Sequence, residues 1–179
     1  VLGEALHSPD HIAADIKWIR DRIGGKPFGI DLVLPASVPE ERTVEQLIAE
    51  IPQTHRDFEQ KIKRKYNVPD PKQAPDLHIW GGLDQKRALA QVEVVFDERV
   101  PVFASGLGSP AFLLKRAHQL GMQVWGLVGK PKQAKKQIAA GTDVIIAQGF
   151  DAAGHTGNIG TFSIVPQIAD AARAAGVPV

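Results

Sequence analysis

Three apolar runs recur at a fixed interval in the second half of the sequence: Pro101–Ser105, Met122–Val128 and Asp143–Gln148, starting about 21 residues apart. Between them lie segments with helical spacing, one carrying Leu113, Leu114, Ala117 and Leu120, the next Ala134 and Ile138. A last helix is expected from roughly Phe162 to Ala175, leading into a strand that begins at Val177. Strands that alternate with helices at so short a period are the pattern of parallel βα units.

The first half carries looser versions of the same signals. Ser8-Pro9-Asp10 is a helix start, with an N-cap hydroxyl, proline in the first turn and an acid favourable to the dipole. Ile12, Ile16, Ile19 and Ile23 follow at helical spacing, and Gly24-Gly25 stop the helix. Phe28–Leu34 reads as a strand closed by Pro35. Thr43 to Gln46 fits a capping box, opening a helix with Val44, Leu47, Ile48 and Ile51 on one side. Pro52 interrupts it, and Phe58, Ile62 and Tyr66 resume the helical spacing. Residues 67–83, rich in Pro, Gly and Asp, read as a long surface loop, after which Leu89, Val92 and Phe96 mark another helix.

Parallel sheets are either open and doubly wound or closed into barrels, and periodicity does not choose between them. A complete barrel needs eight strands and about 250 residues. Here four strands and the start of a fifth are legible in 179 residues. Val1 is not an initiator Met and Gly176-Val177-Pro178-Val179 reads like a strand just beginning, so both ends are expected to be edges of a longer protein.

Composition excludes several function classes. Hydrophobic residues make up 44% and charged residues 23%, the balance of an ordered chain. With 21 basic and 20 acidic residues, no nucleic-acid partner or acidic membrane surface is indicated. The chain has no cysteine, which removes disulfides, thiolate zinc sites, iron–sulfur clusters and thiol nucleophiles from this stretch. The apolar runs are far short of the roughly 18 residues of a membrane span, and no signal layout opens the chain, so the cytoplasm is the expected compartment.

The richest chemistry follows the Asp143–Gln148 strand, in Ala147-Gln148-Gly149-Phe150-Asp151-Ala152-Ala153-Gly154-His155-Thr156-Gly157. Ligands bind at the carboxyl ends of parallel strands. Small residues at 152, 153, 154 and 157 let backbone approach a flat or anionic ligand, and one imidazole, His155, stands among them. Imidazole titrates near neutrality and can take a proton from a weak carbon acid. Placement alone leaves His155 open between that role and an ordinary exposed loop histidine.

This segment resembles the Ala-Gln-Gly-x-Glu-Ala-Gly-Gly-His-x-Gly signature of the nitronate monooxygenase (2-nitropropane dioxygenase) family. Lys26-Pro27-Phe28-Gly29-Ile30-Asp31-Leu32 resembles that family's Pro-Phe-Gly-Val-Asn-Leu strand, and Val102-Phe103-Ala104-Ser105-Gly106-Leu107-Gly108 its next strand and turn. The resemblance covers nearly the whole chain. It implies an α/β fold, an incomplete (β/α)8 barrel of about strands 3 to 6 and the start of strand 7, with the chain starting just after the second. Residues 1–179 would then be the central part of one FMN-binding domain with a helical and loop insertion at about 36–85. It further implies that His155 is catalytic and that Asp31, Gln148, Ala153 and Gly154 border FMN. This sequence departs from the family at Asp31, a carboxylate where the family has an amide. It departs also at Ala153, a methyl where the family has glycine, and at Asp151 for Glu.

By the same resemblance, the activity expected is FMN-dependent oxidation of alkyl nitronates by oxygen to a carbonyl compound and nitrite. An FMN-dependent reductase of enoyl thioesters or quinones and a non-catalytic ligand-binding module stand as alternatives. A small-molecule substrate and oxygen are the expected partners, and a homo-oligomer is compatible with the sequence. Phosphate-binding residues are expected beyond Val179, since barrels commonly hold a cofactor phosphate after strands seven and eight.

Other motifs carry less. Gly106-Leu107-Gly108-Ser109-Pro110-Ala111 fits a dinucleotide turn, G-x-G-x-x-A, yet Gly129-Lys130 stands where an acidic residue is expected, so a tight strand-to-helix turn is the favoured reading. Lys61, Lys63, Arg64 and Lys65, and Lys130, Lys132, Lys135 and Lys136, read as solvated helix faces. His7 and His11 stand four apart without an H-E-x-x-H motif, so no metal site is expected there. Trp18 and Trp125 read as packing residues, while Trp80 reads as a pocket cover or a core anchor.

Overall fold

The computed structural model describes residues 1–34, 44–70, 85–152, 154 and 156–179. Strands β1 (Leu2–Gly3), β2 (Gly29–Val33), β3 (Val102–Gly106), β4 (Gln123–Val128) and β5 (Val144–Ala147) form one sheet in chain order. Every neighbouring pair is parallel. The helices are α1 (Pro9–Ile23), α2 (Val44–Ala49), α3 (Gln53–Tyr66), α4 (Gln85–Asp97), α5 (Leu114–Gln119), α6 (Pro131–Ala140) and α7 (Thr161–Arg173), among the described residues.

Strand order decides what periodicity left open. A doubly wound sheet reverses direction at a switch point and carries helices on both faces. Here order follows the chain, and the buried strand residues meet helices on one face. Ile30, Leu32, Phe103 and Val124 share a core with Ile12 and Ile16 of α1, Val92, Val95 and Phe96 of α4, and Leu114 and Ala117 of α5. Val128 and Ile145 pack with Ala134 of α6 and with Ile164 and Ile168 of α7. The intervening strand residues Asp31, Val33, Trp125, Leu127, Val144 and Ile146 alternate onto the opposite face and are half-buried. One helix-covered face and one inner face make this an arc of a (β/α)8 barrel.

The helix starts follow the expected chemistry where a cap exists. Ser8 is extended (φ −71°, ψ 157°), its side chain accepts from the His11 N–H, Pro9 opens the first turn, and Gly24 closes α1 in the left-handed region at φ 60°. Pro52 separates α2 from α3. Residues 71–84, and with them Trp80 and most of the long loop, lie outside the described residues, as do residues 35–43.

Two differences from the sequence reading concern the chain's first and last residues. The chain enters on a strand instead of following one: Leu2 and Gly3 pair with Ile30 and Asp31, and the Glu4 N–H donates to the Asp31 carbonyl at 2.9 Å. Two residues have no alternation to read, so β1 was invisible to periodicity. At the other end, the Ile145 N–H donates to the Pro178 carbonyl at 3.0 Å, a single rung beside β5 where the strand starting at Val177 was expected. Trp18 also differs. It is 57% exposed, with the Arg22 guanidinium 4.2 Å over its ring, whereas Trp125 is half-buried on the inner face.

Candidate active site

The carboxyl ends of β2 to β5 open onto a cavity of about 940 Å³. That is at the upper end of the usual range for small-molecule sites, about 300–1,000 Å³. Its walls come from four strand ends: Asp31 and Val33; Gly106 to Ser109; Leu127 to Lys130; and Gln148, with Thr156 to Asn158 behind it.

Glycines set the shape of these turns. A Cβ on Gly108 would lie 1.6 Å from the Leu34 carbonyl oxygen, so the turn after β3 closes against the exit of β2 only with glycine there. This assigns Gly106-Leu107-Gly108 to turn packing; with strands in chain order there is no switch point to receive a dinucleotide. The same turn does edge the cavity. A second close approach joins the turn after β4 to the loop after β5. A Cβ on Gly157 would lie 2.3 Å from the Gly129 oxygen, and one on Gly129 would lie 2.7 Å from the Gly157 nitrogen. The two backbones touch with no room for side chains.

Asp31 projects from the inner face in the middle of β2 onto the cavity wall. Its Oδ1 is buried and has no hydrogen-bond partner among the described residues. Burial pushes its carboxyl above the usual carboxylate range. Gln148 leaves β5 with its N–H on the Val128 carbonyl at 3.0 Å and also lines the cavity.

Among the predicted loop residues, Gly154 takes the left-handed conformation (φ 74°), is exposed, and is not one of the described residues on the cavity wall. Ala153 and His155 lie outside the described residues. Their neighbours Thr156 and Gly157 border the cavity. The sequence therefore brought Asp31 and Gln148 to one wall, with the downstream half of the histidine loop beside them.

Sequence reasoning missed three contributions. Asp151, compared only with the family's glutamate, is a helix cap. Its Oδ1 accepts from the Thr161 N–H at 2.6 Å at the start of α7, and that bond holds its carboxyl below the usual range. Lys130 and Lys136, read as part of a solvated run, border the cavity. Gly129 has no signal except its partner at 157, and only a three-dimensional contact reveals that.

The residues present suit a flavin. An orphaned buried carboxylate oxygen on the wall would accept from the imide N–H of an isoalloxazine, and bare glycine backbone leaves room for a flat ring. Asp31, Gln148 and the Gly106–Gly108 turn would hold it.

Parallel βα units in chain order, with a ligand-sized cavity across the strand ends, define part of a (β/α)8-barrel enzyme scaffold. The chain belongs to the nitronate monooxygenase family, whose model matches residues 1–179. Rv1533 of Mycobacterium tuberculosis, whose name assigns it provisionally to the monooxygenases, is 34% identical over 178 residues, covering 96% of this chain and 48% of that protein. Among solved structures, the nitroalkane oxidase of Streptomyces ansochromogenes matches with a TM-score of 0.67 at 24% identity, over 95% of this chain and 47% of that one. FabK of Thermotoga maritima matches with a TM-score of 0.62 at 22% identity, over 94% and 38%. These likenesses to solved structures concern the fold. The chain spans about half the length of the relatives it matches over most of its residues.

Proposed function

We propose that the full-length protein is an FMN-dependent oxidoreductase that oxidises alkyl nitronates with oxygen to a carbonyl compound and nitrite. The observation that carries this reading is the cavity at the ends of β2 to β5, with the orphaned Asp31 oxygen and Gln148 on its wall, in a chain matched over its whole length by the nitronate monooxygenase family. The flavin, when bound, supplies the electron transfer from substrate to oxygen. The protein's part is position and electrostatics. Asp31 and Gln148 orient the ring system, and the glycine turns admit it. By family resemblance His155 takes the proton from a neutral nitroalkane, or steadies the negative charge of a nitronate that arrives already deprotonated. Gly129 and Gly157 fix the downstream end of its loop.

The test uses the full-length protein. It is expected to be yellow, absorbing near 450 nm as bound flavin does, and to consume oxygen when given ethylnitronate. His155→Asn is expected to lower kcat/KM for neutral nitroethane by about 10²–10⁴-fold, the usual worth of a general base, and that for ethylnitronate by less. Oxidation of NADH with a quinone or enoyl thioester, without oxygen uptake on nitronate, would replace this reading with the reductase. A colourless protein indifferent to added FMN would replace it with the binding module.

A further inference from the structure

We infer that His7, His11 and Asp15 form a binding site for a divalent transition cation of zinc-like chemistry, separate from the cavity. One ligand atom from each of the three lies within 4.8 Å of the other two. The His11 Nε2 is 3.2 Å from the Asp15 Oδ2, and the rings of His7 and His11 stand 4.3 Å apart, centre to centre.

The placement follows from the start of α1. Ser8 caps the helix, so His7 sits just outside it, His11 in its first turn and Asp15 a turn further on. A spacing of four on a helix stacks side chains on one face. The sequence displayed the two histidines, but the third ligand is a residue type too common to read without coordinates.

His7 is held in place by buried chemistry. Glu4 is fully buried, and its Oε2 lies 2.5 Å from the His7 Nδ1. A carboxylate on one ring nitrogen fixes the tautomer and leaves the other nitrogen as a ligand, the arrangement typical of metal-bound histidine. The second oxygen of Glu4 is buried with no hydrogen-bond partner among the described residues, so His7 is the side chain that answers this carboxylate there. The loop between Glu4 and the helix is clamped as well. The Gln91 Nε2 donates to the carbonyls of Ala5 at 3.1 Å and His7 at 2.7 Å, and Arg87 donates to that of Leu6 at 2.6 Å.

His11 and Asp15 are partly exposed and free to turn toward a cation, while water can fill its remaining positions. Their own ion pair is a surface pair of small worth, so a cation displaces little. The helix N-terminus opposes a positive ion, but the carboxylates of Glu4, against His7, and of Asp15, against His11, oppose that effect. Two imidazole nitrogens and one carboxylate oxygen select a borderline metal over calcium or magnesium. Bound there, the ion ties α1 to the end of β1, whose next residue, Glu4, donates its N–H to Asp31 on the cavity wall.

The test is calorimetric titration of the untagged full-length protein with zinc chloride. Saturable binding of one ion is expected, weakened at least tenfold by His11→Ala and by Asp15→Asn. Glu4→Gln, which keeps all three ligands, is expected to weaken it about tenfold, as loss of a carboxylate behind a ligating histidine does. Zinc should raise the melting temperature of the parent and not that of the His11→Ala/Asp15→Asn double variant, which leaves His7 in place on the buried Glu4 carboxylate. His118→Ala, at a histidine paired with Asp143 elsewhere, should leave binding unchanged. Absence of saturable binding below millimolar zinc, or binding indifferent to His11→Ala and Asp15→Asn, overturns the site.

Discussion

Asp31 is a carboxylate whose burial works against its charge. A buried carboxyl whose value is raised is neutral in both folded and unfolded chains at low pH. As pH rises, the unfolded chain loses its proton first, so the folded state pays a penalty that grows between the ordinary and the raised value and stays constant above it. Asp31→Asn removes that penalty. In the cofactor-free full-length protein it is expected to raise the melting temperature at pH 7, with the gain vanishing below the ordinary carboxylate range; melts across pH check this, and a gain of equal size at pH 3 would refute the burial argument. The sequence made Asp31 conspicuous only by comparison with an amide. It gave no hint that one oxygen would be orphaned, because solitude depends on what the neighbouring strands fail to offer. Asp151 is the reverse case. It lies in the same motif as His155, and its partner is ten residues on in the first turn of a helix, a local pattern that a search for capping residues across the glycine loop could have found.

At the scale of elements, the β5–α7 junction concentrates the constraints. Gly149 has the Thr161 nitrogen 2.1 Å from where a Cβ would sit, and the Phe150 N–H donates to the Ile159 carbonyl at 3.0 Å. Gly149→Ala must therefore push α7 away from the sheet, and its expected cost is about 1–3 kcal/mol, that of overpacking a close-fitted site; urea unfolding of the full-length protein measures it. Asp151→Ala is expected to lower stability in the same assay and to fray the first turn of α7, seen as faster amide exchange at Thr161. Elements with a long period and strong caps were legible in advance: α1 from its proline and isoleucines, and β3 to β5 from their spacing. The α3 helix was legible too from its spacing of four, yet none of its residues is buried, and its apolar positions Phe58 and Tyr66 remain 63% exposed. What could not be read was packing between turns, such as Gly129 against Gly157, since a glycine announces freedom and not what it touches.

For the whole molecule, the choice between open sheet and barrel arc came from strand order and from helices confined to one face, neither of which a hydrophobic pattern contains. If the cavity holds FMN as proposed, the ligand stabilises the folded state by mass action. The full-length protein should then gain about 2.7 kcal/mol when free FMN stands a hundredfold above its Kd, and less at lower concentration; a melting temperature flat across an FMN titration would count against the cofactor assignment. Strand order has one more consequence. Within this arc each strand finds its hydrogen-bonding neighbour in the next strand to be synthesised, so one ladder can be completed before the next begins. Within this arc the longest wait falls to Gly29–Val33, whose partner at Val102–Gly106 emerges only after α2, α3 and α4, so the edge of that strand stays open through the longest stretch of synthesis.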